Sequence, residues 1–194
     1  MRKYISLLFI TSLIVFSIMV TAQDQKPTPQ PPTSQTSTTP APAANPADVS
    51  SIEAIVAALY DVISGSAGKK RDWNRMKSLF IPGARLIPTG PRPEGGFGSR
   101  VLTVEDYIVR SGPILEGQGF FEREIARRTE EYGQIAQVFS TYEARKKSDD
   151  PKPFARGINS IQLMNDGQRW WIVTVFWQGE TEKSPLPEKY LKSP

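Results

Sequence analysis

Nothing in this chain narrows its fold more than residues 119–180, which read as two long β-hairpins in succession. The first covers 120–145 and turns at Tyr132-Gly133. The second runs over 154–164, turns at Asp166-Gly167 and returns along 170–178. Strands of this length exceed the usual ~5–6 residues, and long strands accumulate twist, so their sheet must curve. A curved sheet leaves a hollow that other elements have to fill, and three helical segments lie upstream. The expectation is an α+β domain: a half-barrel of a curved, mainly antiparallel sheet with three helices packed on its concave side.

The N-terminus reads as an address. Arg2 and Lys3 precede an uncharged apolar run over 4–20, and Val20-Thr21-Ala22 offers the small residues of a cleavage site. Residues 1–22 are therefore expected to be a signal peptide, and the protein exported, either periplasmic or secreted. The alternative is an uncleaved membrane anchor, although the run is short against the ~20 residues of a span. Residues 23–47 are rich in Pro, Thr and Ser. Such a segment buries too little apolar surface to offset its ordering entropy, and its prolines favour extended conformations. It is expected to be a disordered linker leading to one domain over 48–194.

Composition removes many functions. The chain holds 24 Lys and Arg against 20 Asp and Glu, and without Arg2 and Lys3 the balance is 22 to 20, only +2. Arg145-Lys146-Lys147 is followed at once by Asp149-Asp150, a solvated loop rather than a patch for nucleic acid, so no nucleic-acid partner is expected. There is no cysteine, hence no disulfide, thiol nucleophile or thiolate metal site. There is also no histidine, which removes the Ser-His-Asp triad, His-based zinc sites and the commonest base near neutrality. No cofactor and no metal are expected. Any catalysis would rest on carboxylates, Tyr, Lys, Arg and water.

Ser50 is expected to cap the first helix, with Glu53 completing a capping box. Ile52, Ile55, Val56, Leu59, Val62 and Ile63 form one apolar stripe, and Gly65 ends it. Asp72 caps the second helix, which carries Trp73, Met76, Leu79 and Phe80 and stops at Pro82-Gly83. A short strand over 84–87, a Gly/Pro-rich loop over 88–98 and another short strand over 100–102 follow. Thr103 caps the third helix, with Val104, Tyr107 and Ile108, interrupted at Gly112-Pro113.

A two-residue turn at Asp166-Gly167 pairs Asn165 with Gln168. Leu163, Ile161 and Asn159 then face Trp170, Ile172 and Thr174, while Ile158, Ser160 and Gln162 lie beside Trp171, Val173, Val175 and Trp177. Both faces of the last strand become apolar, whereas a half-solvated sheet should alternate. The outer face therefore needs a cover: a second copy of the chain, giving a homodimer through the sheet face, or the C-terminal stretch 186–191 folded back.

The order helix, helix, strand, short strand, helix, then four long antiparallel strands resembles the nuclear transport factor 2-like superfamily, which includes the SnoaL-like polyketide cyclases and ketosteroid isomerases. The resemblance covers about residues 50–180. It is carried by the amphipathic helix around Ile55 and Ile63, by Trp73 leading into Ala84-Arg85-Leu86-Ile87, and by Asp166-Gly167-Gln168-Arg169-Trp170-Trp171-Ile172. Within that superfamily the chain is most similar to small exported bacterial proteins without an assigned activity. The resemblance implies that the half-barrel is cone-shaped, with a pocket between sheet and helices and, often, a dimer through the sheet.

Superfamily enzymes generally use a carboxylate base, often with His, Tyr or a second acid. Here Asp61, Asp72 and Glu143 are candidates for base and Tyr60, Tyr107 and Tyr142 for hydrogen-bond donor, but none stands in a spacing that excludes chance. Asp72 is better explained as a helix cap, Asp61 as the solvent face of its helix, and Glu143 as a solvated edge residue. No catalytic residue is assigned, and the chain leans away from being an enzyme. The ligand-binding candidates are Trp73, Tyr107, Arg127, Asn159 and Trp170. Arg127 offers a bidentate fork for an anion, and Asn159 is a polar residue in an apolar strand that must be satisfied where it points. The aromatic residues serve as core or as stacking surface. Three functions remain. The first is a module binding a small apolar or amphipathic ligand. The second is a non-catalytic interaction or dimerisation domain on a tether, with its hollow filled by side chains. The third is a carboxylate-based isomerase, cyclase or dehydratase, which requires a buried acid with a raised pKa. A membrane enters only through an uncleaved signal.

Overall fold

A computed structural model describes residues 41–193. The expected signal peptide and residues 23–40 of the expected linker lie outside the described residues. Helix α1 (Pro46–Val49) takes in the last two residues of the linker range; Asn45 caps it, accepting from Ala47 N at 3.1 Å. Helix α2 (Ile52–Ile63) starts at Ser51, whose hydroxyl accepts from Ala54 N at 3.1 Å, one residue later than the Ser50 cap expected. The whole Ile52–Ile63 stripe is buried, as its spacing requires. Helix α3 (Trp73–Ser78) is capped by Asp72, which accepts from Arg75 N at 2.8 Å.

Strand β1 (Phe80–Pro91) is three times the length expected. It survives Pro82-Gly83 because its pairing is irregular between Phe80 and Arg85, so the missing proline donor and the positive φ of Gly83 (84°) fall outside the regular ladder. Strand β2 (Phe97–Ser99) begins inside the stretch expected to be loop, and residues 100–102 contribute only an isolated bridge from Leu102 to Leu86. Helix α4 (Val104–Gln118) opens with a capping box between Thr103 and Asp106. It runs through Gly112-Pro113 without the expected break: Gly112 seats the helix against Trp73, where a Cβ would stand 3.2 Å from the indole ring. Packing here overrides the cost of the lost Pro113 donor. There are thus four α-helices among the described residues, not three.

Strands β3 (Phe121–Tyr132), β4 (Ile135–Arg145), β5 (Ala155–Asn165) and β6 (Trp170–Gly179) complete an open curved six-stranded sheet of order β2-β1-β6-β5-β4-β3. All neighbours are antiparallel except β1 and β6, which run parallel. The core lies between α2, α3 and one face of the sheet, where Ile55, Val56, Met76, Phe80, Val138, Ile161 and Ile172 are at most 1% exposed.

Two turns and two bulges change the expected register. Tyr132 pairs with Ile135 across Gly133-Gln134, one residue beyond the turn expected. Asn165 pairs with Trp170 rather than Gln168, because Asp166 Oδ1 accepts from both Gln168 N (2.8 Å) and Arg169 N (2.9 Å) and so opens a four-residue loop. Farther along, Leu163 pairs with Ile172 and Gln162 with Thr174, leaving Val173 as an extra residue. This bulge moves Val175 and Trp177 onto the face that already holds Trp170 and Ile172. Most of the strand's apolar side chains therefore share one face, twisted at Val173, while Trp171 and Phe176 stay on the other. The C-terminal stretch does fold back, but over β3 and β4: a 3₁₀ turn at Glu188–Tyr190 stacks Tyr190 on Phe139 at 5.0 Å, and Thr141 donates to the Tyr190 carbonyl at 2.6 Å.

Arg71, only 7% exposed, ties the helices together. Its guanidinium donates to the carbonyls of Ile63 (3.0 Å), Gly65 (2.6 Å), Lys69 (2.6 Å) and Leu115 (3.0 Å). Four carbonyls, two of them in the last turns of α2 and α4, share one planar fork, which a lysine could not reproduce.

Candidate functional site

The sheet face under α2 and α4 is not completely filled. A cavity of about 290 Å³ remains, walled by Leu59 and Ile63 of α2, Leu86 of β1 and Val175 and Trp177 of β6. Tyr107 enters from α4, and Tyr142 and Asn159 from β4 and β5. A second, more open cleft of about 600 Å³ lies beside it, lined by Arg123, Glu124, Arg127, Arg145 and Asp149 among others. Tyr60 and Glu122 border both spaces.

Glu122 stands out. It is the second residue of β3, pairs with Ala144 and borders the cavity beneath the helices. Burial pushes its carboxyl up to about 7, opposed only by a hydrogen bond from Asn159 Nδ2 at 3.2 Å. The same amide donates to Tyr60 Oη at 3.0 Å, and Tyr60 Oη stands 2.7 Å from Ser140 Oγ. Ser140 in turn donates to Glu124. With the amide hydrogens committed, Tyr60 accepts from Asn159 and donates to Ser140, so the chain of bonds has one direction, from the cavity to Glu124. Tyr60, Tyr107 and Tyr142 all hold their protons above the ordinary phenol range, through burial first and the nearby Glu122 charge second. No group among the described residues bonds the hydroxyls of Tyr107 or Tyr142, which stay available to a ligand.

A bulge at Ile125 shapes the neighbouring cleft. Glu124 pairs with Tyr142 and Ala126 with Thr141, so Glu124 and Arg127 fall on one face although three residues apart. Arg127 Nε donates to Glu124 Oε1 at 2.7 Å, and Nη1 stands 3.7 Å from Glu53. Arg127 therefore faces the helix side, as one reading of the sequence had it, but its fork is engaged by carboxylates rather than open to an anion.

The other sequence candidates separate cleanly. Tyr107 and Asn159 line the cavity. Trp73 does not: its indole donates to Glu116 at 3.1 Å, on the outer side of α4. Trp170 is 7% exposed and belongs to the core. Asp61 is ion-paired with Arg75 at 2.5 Å, Asp72 is a cap, and Glu143 is held at 2.5 Å by both Arg123 and Arg145, which keep its carboxyl below the usual range. None of these three is a base in the cavity; that position belongs to Glu122, which sequence reasoning missed. Its only signal is an acid placed between two phenylalanines and Arg123, and it reads as one more charge in an alternating run. Among the described residues no group of three Asp or Glu side chains is placed to hold a metal ion.

No protein-family model matches the chain, and no curated protein matches it. Several solved structures are similar to it, three of which follow. An NTF2-like protein of unknown function from Shewanella baltica is 11% identical over 66% of this chain and 90% of its own, with a TM-score of 0.42. A nuclear transport factor 2 (NTF2-like) superfamily protein from Salmonella enterica is 16% identical over 69% and 87%, TM-score 0.47. An NTF2-like protein of unknown function from Methylobacillus flagellatus is 13% identical over 68% and 95%, TM-score 0.43. At these identities the likeness concerns fold alone and says nothing of ligand or reaction. The chain is, in its fold, similar to NTF2-like proteins, the superfamily its element order resembles.

Proposed function

We propose that this chain is an exported small-ligand-binding domain whose ligand is a compact, largely apolar molecule with one polar group. The cavity between α2, α4 and the sheet receives it, and the polar group meets Glu122, Asn159 and the free hydroxyls of Tyr107 and Tyr142. The observation that carries this reading is Glu122: a carboxyl in an apolar enclosure, with a single neutral partner, has unspent hydrogen-bonding capacity that a ligand can use. An interaction domain with its hollow filled would leave neither the space nor such a group. The export part of the reading rests on residues 1–22 alone. Native and denatured mass spectra of the protein purified from its host test the proposal. A small mass released on denaturation supports it; no released mass, together with no thermal shift across a set of small apolar fragments, refutes it.

One observation favours a second reading. A carboxyl at about 7 is equally ready to take and to return a proton at neutral pH, which suits proton transfer at an acidic C–H bond. Glu122 would be the base, and Tyr107 and Tyr142 the donors to the developing oxyanion. Deuterium exchange at the α-carbon of a small enolisable ketone, lost in Glu122→Gln, would support it; a rate equal to that in buffer would exclude it.

A further inference from the structure

We propose that the cavity is built for a small organic cation, a protonated amine on an apolar body, with its ammonium against Glu122. The inference rests on the reading of the cavity as a ligand site and adds the sign of the ligand's charge. Three features of the wall lead to it.

First, the sixteen lining residues include no Lys or Arg, and their one carboxylate is Glu122. Second, five of them are aromatic: Tyr60, Tyr107, Phe120, Tyr142 and Trp177. Aromatic faces attract cations, more strongly where water is excluded. Third, Glu122 differs from the acids around it. Glu124 is paired with Arg127 at 2.7 Å, Glu143 with Arg123 and Arg145 at 2.5 Å, Glu116 with Lys70 at 2.8 Å and Glu180 with Arg156 at 2.9 Å. Glu122 has only the Asn159 amide, at 3.2 Å. The nearby basic groups, Arg123, Arg127 and Arg145, line the outer cleft and are committed to Glu143 and Glu124. An anion reaching the cavity would find a carboxylate and no counter-charge, whereas a cation would supply the one partner missing. The Tyr107 and Tyr142 hydroxyls add acceptors for the remaining ammonium hydrogens.

Binding a cation and binding a proton then compete at Glu122. The groups facing it are Tyr60 from α2, Tyr107 from α4, Tyr142 from β4, Asn159 from β5 and Glu124 from its own strand. The three phenols are held above their ordinary range and stay protonated near neutrality, Asn159 does not titrate, and Glu124 is already engaged by Arg127 and Ser140. With Glu122 at about 7, the amine-binding form is nearly complete at pH 8 and about a tenth populated at pH 6.

Calorimetric titration of the full chain with phenethylammonium, 2-phenylethanol and phenylacetate, at pH 6 and pH 8, tests this. The three probes share one body and differ in the charge of the head. The cation is expected to bind at pH 8 at least about tenfold tighter than the alcohol, and to lose about tenfold on going to pH 6. Phenylacetate is expected not to bind, and Glu122→Gln to erase the preference for the cation over the alcohol. Should Glu122→Gln fail to fold, the ratio of the two pH values on the wild-type chain decides alone. Alcohol binding equal to or tighter than cation binding at pH 8 overturns the inference and leaves the ligand-binding reading standing. Preferred binding of phenylacetate does the same, and binding of none of the three overturns both.

Discussion

Replacing Glu122 by Gln should stabilise the protein at alkaline pH and leave it nearly unchanged at acid pH. The carboxyl sits at about 7 in the folded state, against an ordinary 4.5 when the chain is unfolded and the group solvated. Between these values the folded form holds a proton that the unfolded form has released, so stability falls as pH rises. Below 4.5 both states are protonated and Glu122 costs nothing; above 7 both are ionised and its cost is complete. At ~1.36 kcal/mol per pH unit, the gap between 4.5 and about 7 amounts to about 3 kcal/mol. Glutamine keeps an oxygen for the Asn159 amide and a similar volume but does not titrate. Urea unfolding of wild type and Glu122→Gln at pH 5 and pH 8 isolates the effect, because every other titrating group cancels in the double difference. The variant should gain about 2–3 kcal/mol more at pH 8 than at pH 5. A gain equal at the two pH values, within about 0.5 kcal/mol, would refute the assignment of a raised pKa to Glu122 and with it the argument for a half-buried acid without a charged partner.

Four further outcomes are expected. Asn159→Ala removes the one hydrogen bond that favours the Glu122 carboxylate, so the carboxyl moves above 7; a ¹³C-detected titration reads this directly, and an unchanged or lowered value counts against the contact. Arg71→Met strands the carbonyls of Ile63 and Leu115, while that of Gly65 keeps Phe120 N at 3.0 Å, and should cost about 3 kcal/mol in urea unfolding, with no rescue by Arg71→Lys; a loss under about 1 kcal/mol would show that water serves those carbonyls as well. Gly157→Ala sets a Cβ 2.6 Å from Tyr142 Oη and against the Gln178 carbonyl, which as sheet backbone does not yield, so the expected loss is about 1–3 kcal/mol together with weaker ligand binding; a neutral change would mean β5 and β6 separate easily. Sedimentation at micromolar concentration should return a dimer, converted to monomer by Phe176→Glu, since Phe176 is a large apolar side chain of β6 that remains 45% exposed; a wild-type monomer ends that proposal.

What the sequence disclosed followed the strength of local signals. Long hairpins, the Asp72 cap and the buried stripe of α2 are written in residues that act on their near neighbours, and all three are present. The site was not legible in the same way, because it depends on which face of a strand each residue takes. One extra residue reverses that choice, and the two bulges fall at Ile125 and Val173, in runs with no glycine or proline to mark them. The bulge at Val173 gathers Trp170, Ile172, Val175 and Trp177 on a single face, and that at Ile125 sets Glu124 beside Arg127. Glu122 was overlooked because its neighbours Arg123 and Glu124 make it look like part of a solvated charge ladder; only the enclosure built by α2 and α4 distinguishes it. Asn159 and Tyr107 could be picked out because a polar residue amid apolar strand, or an aromatic on a short apolar stripe, is unusual wherever it points.

The parallel pairing of β1 with β6 bears on the order in which the molecule assembles. Phe80 meets Ile172 and Leu86 meets Val175, so the sheet joins stretches about ninety residues apart, while the β3-β4, β4-β5 and β5-β6 pairs each join strands adjacent in sequence. Closing so large a loop is entropically expensive, and contacts of this kind form late. The meander can therefore arise first, with β1 and its attached helices docking onto it afterwards. The cavity needs walls from both pieces, Leu86 from one and Tyr142 and Asn159 from the other. It comes into being only at the final docking step, so a ligand cannot guide the chain toward its fold. It can only slow the reverse reaction, and bound protein should differ from empty protein in its unfolding rate far more than in its folding rate.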